Sequence, residues 1–165
     1  MEFAGRTYSI SLPLGIQLLG QATPSPVMKI YGFGSAARAD GTHSLIQVTL
    51  VDLKAGADGK PEPALAQFAA AMLGGVRARR ADWRQSQNSL TVAGVPASRI
   101  QWSGSNGPSP ERPADQASSG MHGTLIVGIK DHVGFVLHTQ DMDTYWPMTG
   151  PQGERALLSF TVRAR

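Results

Sequence analysis

The chain has 165 residues, of which 41% are hydrophobic, 16% are charged and none is cysteine. This length and balance are typical of a globular protein with one core, and they exclude a disordered or coiled-coil chain. The net charge of +3, from 15 basic and 12 acidic residues, is too small for the basic surface of a nucleic-acid-binding protein. Without cysteine the chain has no disulfide, thiolate nucleophile or thiolate zinc site.

No part of the sequence predicts a membrane span. The longest apolar stretch, Leu65–Val76, is interrupted by Gln67 and is well short of the ~20 residues that a bilayer requires. Met1 is not followed by the basic and apolar regions of a signal peptide. The sequence therefore predicts a cytoplasmic protein or, if a targeting segment was removed before Met1, a protein of the cell envelope.

The N-terminal third predicts three strands. Residues Thr7–Leu12 alternate polar and apolar side chains, and Val27–Phe33 follows after a proline-containing turn. Residues 39–42 predict the turn that joins this second strand to a third, His43–Leu53. The third strand has the most regular alternation in the chain. The apolar residues on one of its faces are Ile46, Val48 and Leu50.

One amphipathic helix is predicted next. Pro61 and Pro63 suit its first turn, where a missing N–H costs nothing. Its apolar face consists of residues that recur at spacings of three and four. These residues are Leu65, Phe68, Met72 and Val76. Glu62 near its start and a group of arginines near its end match the sign of the helix macrodipole.

The second half predicts paired strands. Leu90–Val92 and Ala97–Ser103 flank a turn, and Pro96 is expected in that turn, outside the hydrogen-bonded ladder. In the second of these strands, Ile100 and Trp102 point to the same side.

Two further segments, His122–Ile129 and Val133–Gln140, carry apolar residues on both faces. This pattern predicts central strands of a sheet that is covered above and below. Pro151–Leu158 predicts a second, short helix, and Ser159–Arg163 predicts a final strand with Phe160 facing inward.

The chain contains no internal repeat and no linker that would divide it. Residues 104–120 are rich in Ser, Gly, Pro and charge and have no apolar periodicity. We therefore predict one soluble domain of residues 1–165, with a flexible loop at about residues 104–120.

Three segments of the sequence resemble the Mog1/PsbP-like superfamily. They are Tyr8–Gly15, Val92–Ile100 and Leu157–Phe160. The resemblance implies an α+β fold, an α/β/α sandwich with a central antiparallel sheet and two principal helices. DcrB- and LpqN-like envelope proteins and bacterial effector adaptors belong to this superfamily, whose members mostly bind protein partners and share no catalytic residues. The resemblance therefore implies a binding function, with no catalytic residue and no cofactor.

Enzyme motifs are weak or absent in the sequence. No G-x-S-x-G nucleophile elbow occurs. The Gly32–Ser35 segment is too short for a phosphate-binding fingerprint, and no Gly-Lys-Ser/Thr follows it. Asp141 and Asp143 resemble a metal-binding D-x-D motif, but their position after a strand favours a turn.

Histidines provide the remaining candidates for a metal site. His122 and His138 lie on strands that we expect to pair, but no two of the four histidines have the spacing of a known metal motif. The alternative to a binding domain is therefore a small-molecule-binding or metal-binding protein, or a small enzyme, with a site near Asp141, Asp143, His122 and His138.

Two groups of residues are candidates for partner binding. The first is the basic cluster of Arg77, Arg79 and Arg80 beside Trp83, which could grip an acidic surface or simply complement the end of a helix. The second is Tyr145 and Trp146 in a predicted loop, where they form an interface or pack onto the core.

The bias toward alanine, glycine and arginine suggests a GC-rich bacterial genome. We predict a non-enzymatic protein-binding or adaptor domain of bacterial origin. Its partner would be a protein, offering an apolar helix or peptide segment, and nucleic acid is not expected. The sequence leaves a homodimer open.

Overall fold

The computed structural model describes residues 1–54, 63–106 and 119–164. Within these ranges ten strands form two antiparallel sheets, accompanied by two helices. The first six strands are β1 (Glu2–Phe3), β2 (Arg6–Ser9), β3 (Gln17–Ser25), β4 (Met28–Gly34), β5 (Leu45–Asp52) and β6 (Arg80–Val92). The other four are β7 (Val95–Asn106), β8 (Gly120–Lys130), β9 (Val133–Met142) and β10 (Thr161–Ala164). The helices are α1 (Leu65–Arg77) and α2 (Trp146–Leu158).

The larger sheet has seven strands in the order β3-β4-β5-β9-β8-β7-β6. Helix α1 covers one face of this sheet, which we call the α1 face, and α2 covers the other, the α2 face. A small sheet of β1, β2 and β10 shares the core on the α2 face. The predicted α+β class and α/β/α layering are confirmed. No helix in the described ranges is long and apolar enough to cross a membrane.

The central strands follow the sequence pattern closely. β9 lies fourth in the order with β8 beside it, and their apolar residues are buried on both faces, as predicted. In β5, Ile46, Val48 and Leu50 pack into the core of the α2 face. In α1, Phe68 is buried and the other predicted apolar residues pack beside it on the α1 face. Pro61 and Glu62 lie outside the described residues.

The hairpin of β6 and β7 corrects two expectations. Its turn contains only Ala93 and Gly94, with φ of 53° and 78°, which is the geometry of a two-residue type I′ turn. Pro96 is therefore part of the ladder, opposite Thr91. It is tolerated because β7 begins to pair with β8 only at Ala97, so the missing N–H falls beyond the end of that second ladder.

Several strands differ from the prediction, and β3, β6 and β2 show why. β3 was not predicted, because its residues are exposed and lack alternation; it includes Pro24, which an edge strand tolerates. β6 begins at Arg80, ten residues before the predicted strand start at Leu90. Its first part was missed because it is polar and lies at the sheet edge. β2 ends at Ser9 and belongs to the small sheet with β10.

The segment predicted as a long loop is only partly described. Residues Gly104 to Asn106 belong to β7, and Gly120 begins β8. Residues 107–118 lie outside the described residues, as do residues 55–62.

Candidate functional site

The two groups of predicted partner residues lie on different faces of the large sheet. Arg80 and Trp83 lie at the start of β6 and pack on the α1 face, while Arg77 and Arg79 are exposed near the end of α1. Tyr145 and Trp146 lie at the start of α2, on the opposite face. The structure therefore does not bring the two groups into one surface.

The α1 face contains a stack of aromatic rings under an arginine. Trp83 stacks on Trp102 with 5.1 Å between ring centroids, and Trp102 lies 5.8 Å from the ring of His138. The Arg80 guanidinium lies 5.3 Å from the Trp102 ring and donates a 3.1 Å hydrogen bond to the Gln140 side chain. We call these residues the tryptophan stack.

The tryptophan stack contains no carboxylate. Burial lowers the pKa of His138 to about 3, with a smaller contribution from the positive charge of Arg80. Burial also lowers the pKa of Arg80, assisted by the neighbouring Arg79. His138 is therefore neutral at physiological pH, and the stack is a packed structural element around one cation.

The α2 face contains an open groove of about 490 Å³, which we call the α2 groove. Its walls are the segment Pro13–Ile16, the connection between β4 and β5, and the N-terminal half of α2. The apolar residues that line it are Pro13, Leu14, Ile16, Ala36, Ile46 and Met148. Leu14 is fully exposed and the Met148 side chain is 68% exposed. These two residues extend the apolar surface of the groove to its rim.

An ion pair lies at the α2 groove, where its arginine, Arg38, is one of the polar lining residues. Asp141 is only 2% exposed and accepts hydrogen bonds of 2.9 and 2.7 Å from the Arg38 guanidinium. Ser44 donates a further bond of 2.6 Å, and the Met142 N–H one of 2.8 Å. Burial raises the pKa of Asp141, but these bonds outweigh burial and hold the pKa below its ordinary 3.8. The pair is therefore fully charged at neutral pH.

Tyr145 covers this ion pair. Its ring lies 3.8 Å from the Arg38 guanidinium carbon, and its hydroxyl donates a 3.1 Å hydrogen bond to Asp40. The hydrogen bond to Asp40 raises the pKa of Tyr145. Because Arg38, Asp40 and Asp141 are engaged with one another and with Tyr145, the charged groups at the groove are already paired.

Trp146 lies beside the α2 groove and does not line it. Its ring stacks on His122 at 5.9 Å and approaches Gly150, where a Cβ would come within 2.6 Å of the ring. Both rings also line a hollow of about 300 Å³ that is bordered by Arg84. Trp146 therefore holds the start of α2 against the sheet.

The residues of the alternative metal or enzyme site do not converge. His122 pairs across the sheet with Asp141 on the α2 face, whereas His138 pairs with Leu125 on the α1 face. Asp143 is 56% exposed and forms an ion pair of 2.9 Å with His122. Within the described ranges no group of three His, Cys, Asp or Glu side chains is placed to hold a metal ion.

Structural comparison identifies the fold. No family model matches the sequence, and no curated protein matches it. LpqN of Mycobacterium tuberculosis, described as involved in cell envelope biogenesis, matches 95% of this chain with 83% of its own, at a TM-score of 0.61 and 15% identity. The cyanobacterial PsbP of Synechocystis matches 98% of this chain with 95% of its own, at a TM-score of 0.61 and 10% identity. The chain has the Mog1/PsbP-like fold. At this identity the likeness shows the fold alone.

Sequence reasoning singled out two residues at the α2 groove of this Mog1/PsbP-like domain, Tyr145 as a candidate for partner binding and Asp141 as a candidate for metal binding. It missed Arg38, which lies 103 residues before its partner Asp141, and it missed Leu14 and Met148. The available signals were the large apolar residues at turn-like positions beside Pro13 and Pro147. Large apolar side chains that come together on a surface mark an interaction site, but the sequence does not show that these two come together.

Proposed function

We propose that the protein is a non-enzymatic binding domain that holds an apolar segment of a partner protein in the α2 groove. The observation that carries the proposal is the apolar groove with an exposed apolar rim, formed by Leu14 and Met148. Leaving two large apolar side chains in water is unfavourable, and covering them by a partner recovers that free energy.

The charged groups of the α2 groove support this choice over a site for a charged small molecule. Such a site needs polar groups that converge on the ligand and are free to bind it. Here Arg38 and Asp141 neutralise each other, and Tyr145 is bonded to Asp40. Opening these bonds to bind a charged ligand would leave buried charges unpaired, which is costly. A partner that contributes apolar side chains leaves these bonds in place.

The dimensions of the α2 groove indicate the kind of segment it accepts. About 490 Å³ is in the range of pockets that take a few apolar groups. We therefore propose that a helix or extended peptide inserts two or three apolar side chains and leaves its other face in water. The role of LpqN in the envelope of its organism favours the envelope over the cytoplasm as the place of this interaction.

The test is selection of a peptide library on the immobilised protein, followed by titration of the enriched peptides in solution. We expect enriched peptides to carry apolar anchors, and Leu14→Glu and Met148→Glu each to weaken binding by about tenfold or more, because a charge is placed on the apolar rim. Leu158→Glu is the matched control, since Leu158 is 46% exposed on α2 but does not line the groove. Equal binding by all three variants would refute the proposal.

The basic cluster on the other face supplies a second control. Of the residues predicted for partner binding, Tyr145 lines the α2 groove, whereas Arg77 and Arg79 lie at the end of α1. We expect the double variant Arg77→Ala and Arg79→Ala to bind the selected peptides like the wild type. A loss of binding in that variant would move the proposed surface to the α1 face.

A further inference from the structure

The outer edge of β6 is unusually open for an edge strand. β6 has 13 residues and ends the seven-stranded sheet. Among the residues that the structure describes, no strand pairs with its outer edge. Edge strands expose N–H and C=O groups, and proteins normally protect them with charges, prolines, bulges or short length.

The two edges of the sheet differ in this protection. β3, at the other edge, contains Pro24 and has register shifts at two places along its pairing with β4. In β6 the single register shift lies between Ala81 and Arg84, before the central part of the strand. From Gln85 to Thr91 β6 contains neither a charged residue nor proline. A continuous, neutral strand edge is therefore available for pairing.

The hairpin turn determines which groups of β6 point outward. In a two-residue hairpin the residues flanking the turn, here Val92 and Val95, exchange both backbone hydrogen bonds. Bonding then alternates, so the even-numbered residues of β6 bond to β7 and the odd-numbered residues point their N–H and C=O groups outward. The outward residues are Gln85, Gln87, Ser89 and Thr91.

We propose that β6 pairs antiparallel with β6 of a second copy of this chain, about a twofold axis that passes beside Asn88. In this register Gln85 faces Thr91 and Gln87 faces Ser89 of the other copy, and the symmetry repeats both pairs. All the outward residues of Gln85 to Thr91 are then hydrogen-bonded. A register centred on Gln87 or Ser89 would leave one of them without a partner.

Charge favours a second copy over an unrelated extended chain. The neutral edge brings no like charges together across the axis, and Arg84 of one copy faces Val92 of the other. A strand of an unrelated protein would not repeat both residue pairs, because it is not related to β6 by the twofold axis. An interface confined to one strand edge buries less than the roughly 1,200 Å² of stable complexes, so we expect a monomer–dimer equilibrium that depends on protein concentration.

The test combines sedimentation of the full chain with hydrogen exchange measured by NMR at low and high concentration. We expect the fraction of dimer to rise with protein concentration. The backbone amides of Gln87 and Ser89 should become protected from hydrogen exchange over the same range of concentration. Ser89→Pro, which removes an outward N–H, and Ser89→Lys, which adds charge at the edge, should each weaken the dimer by at least about tenfold. Gln21→Lys on the opposite edge strand β3 should not.

Three results would overturn the proposal. These are a monomer at all concentrations, a dimer that Ser89→Lys and Ser89→Pro leave unchanged, and protection of the β6 amides by an added extended peptide but not by a second copy. Circular dichroism and thermal unfolding show whether each variant is folded. Because β8 and β7 separate the edge of β6 from the α2 groove, the peptide-binding variants and the edge variants test separate surfaces.

Discussion

The two faces of the large sheet each accommodate a partly buried arginine, but in different ways. Each carries a helix of 13 residues and an arginine stacked on an aromatic ring, Arg80 on Trp102 and Arg38 on Tyr145. On the α2 face the arginine has a buried carboxylate partner, whereas on the α1 face its neighbour is a neutral histidine. On the α2 face the charge of Arg38 is balanced by Asp141. On the α1 face a second positive charge beside Arg80 is avoided because His138 is deprotonated.

A single strand supplies both ionisable partners. Asp141 and His138 lie three residues apart on β9, and the period of two in a strand places them on opposite faces. Asp141 remains charged because its hydrogen bonds outweigh the cost of burial, and His138 remains neutral because nothing compensates that cost. The comparison predicts that the two faces respond differently to mutation and to acid.

The largest effect is expected from breaking the ion pair. Asp141→Asn leaves Arg38 partly buried without its counter-charge, and we expect a loss of about 2 to 4 kcal/mol in the free energy of unfolding. Urea denaturation at pH 7 measures this loss. The control is Asp143→Asn, in the same D-x-D sequence but 56% exposed, for which we expect less than about 1 kcal/mol. Equal losses for both variants would show that the buried pair is not the source.

The next largest effect is a loss of stability at acidic pH. His138 has a pKa of about 3 in the folded protein, well below its ordinary 6.5, so below pH 6.5 the unfolded chain binds a proton that the folded protein does not. Stability therefore falls as pH decreases, by about 2 to 3 kcal/mol between pH 6.5 and 4.5 at 1.36 kcal/mol per pH unit. Urea denaturation at both pH values checks this.

The variant His138→Gln isolates that titration. Glutamine does not ionise, so the variant should lose most of the difference in stability between pH 6.5 and 4.5. Asp141 does not interfere, because its pKa lies below 3.8 and its contribution is lost only at lower pH. A variant as acid-sensitive as the wild type would show that other groups cause the effect.

The smallest effects distinguish the two helices through their glycines. At Gly153 in α2 a Cβ would overlap the Thr139 hydroxyl, whereas at Gly74 in α1 no atom of the described residues would lie within 4 Å of a Cβ. Gly153→Ala should therefore destabilise the protein by about 1 to 3 kcal/mol, and Gly74→Ala should stabilise it by about 0.5 to 1 kcal/mol. Thermal unfolding measures both, and a shift of the same sign in both variants would contradict the difference in packing.

The hydrophobic pattern predicted the parts of the fold where burial is most complete. β5 and the apolar face of α1 were found because their side chains alternate or recur with the period of the element. β8 and β9 were found because apolar residues lie on both of their faces. β3 and the first part of β6 were missed because they are exposed edge segments whose backbone pairing does not require a buried face. Tertiary pairing, not local pattern, makes them strands.

The candidate site was predicted less well than the fold. Tyr145 was identified as an amphipathic aromatic residue in a loop, but its partner Arg38 gave no signal, because the contact closes over a long stretch of chain. The alternative site near His122 and His138 is disfavoured for a simpler reason. Their strands do pair, as predicted, but the register places the two side chains on opposite faces.

The sequence by itself determined the class of fold, its central strands, its first helix and its likeness to the Mog1/PsbP-like superfamily, because these depend on local periodicity and on short segments. The tertiary structure alone decided which side chains meet. Strand order and register bring Arg38 to Asp141 and separate His122 from His138. Among the described residues, they also leave the groove beside Leu14 and the outer edge of β6 uncovered. Register is a long-range property, and a shift of one residue would exchange the faces of every side chain in a strand.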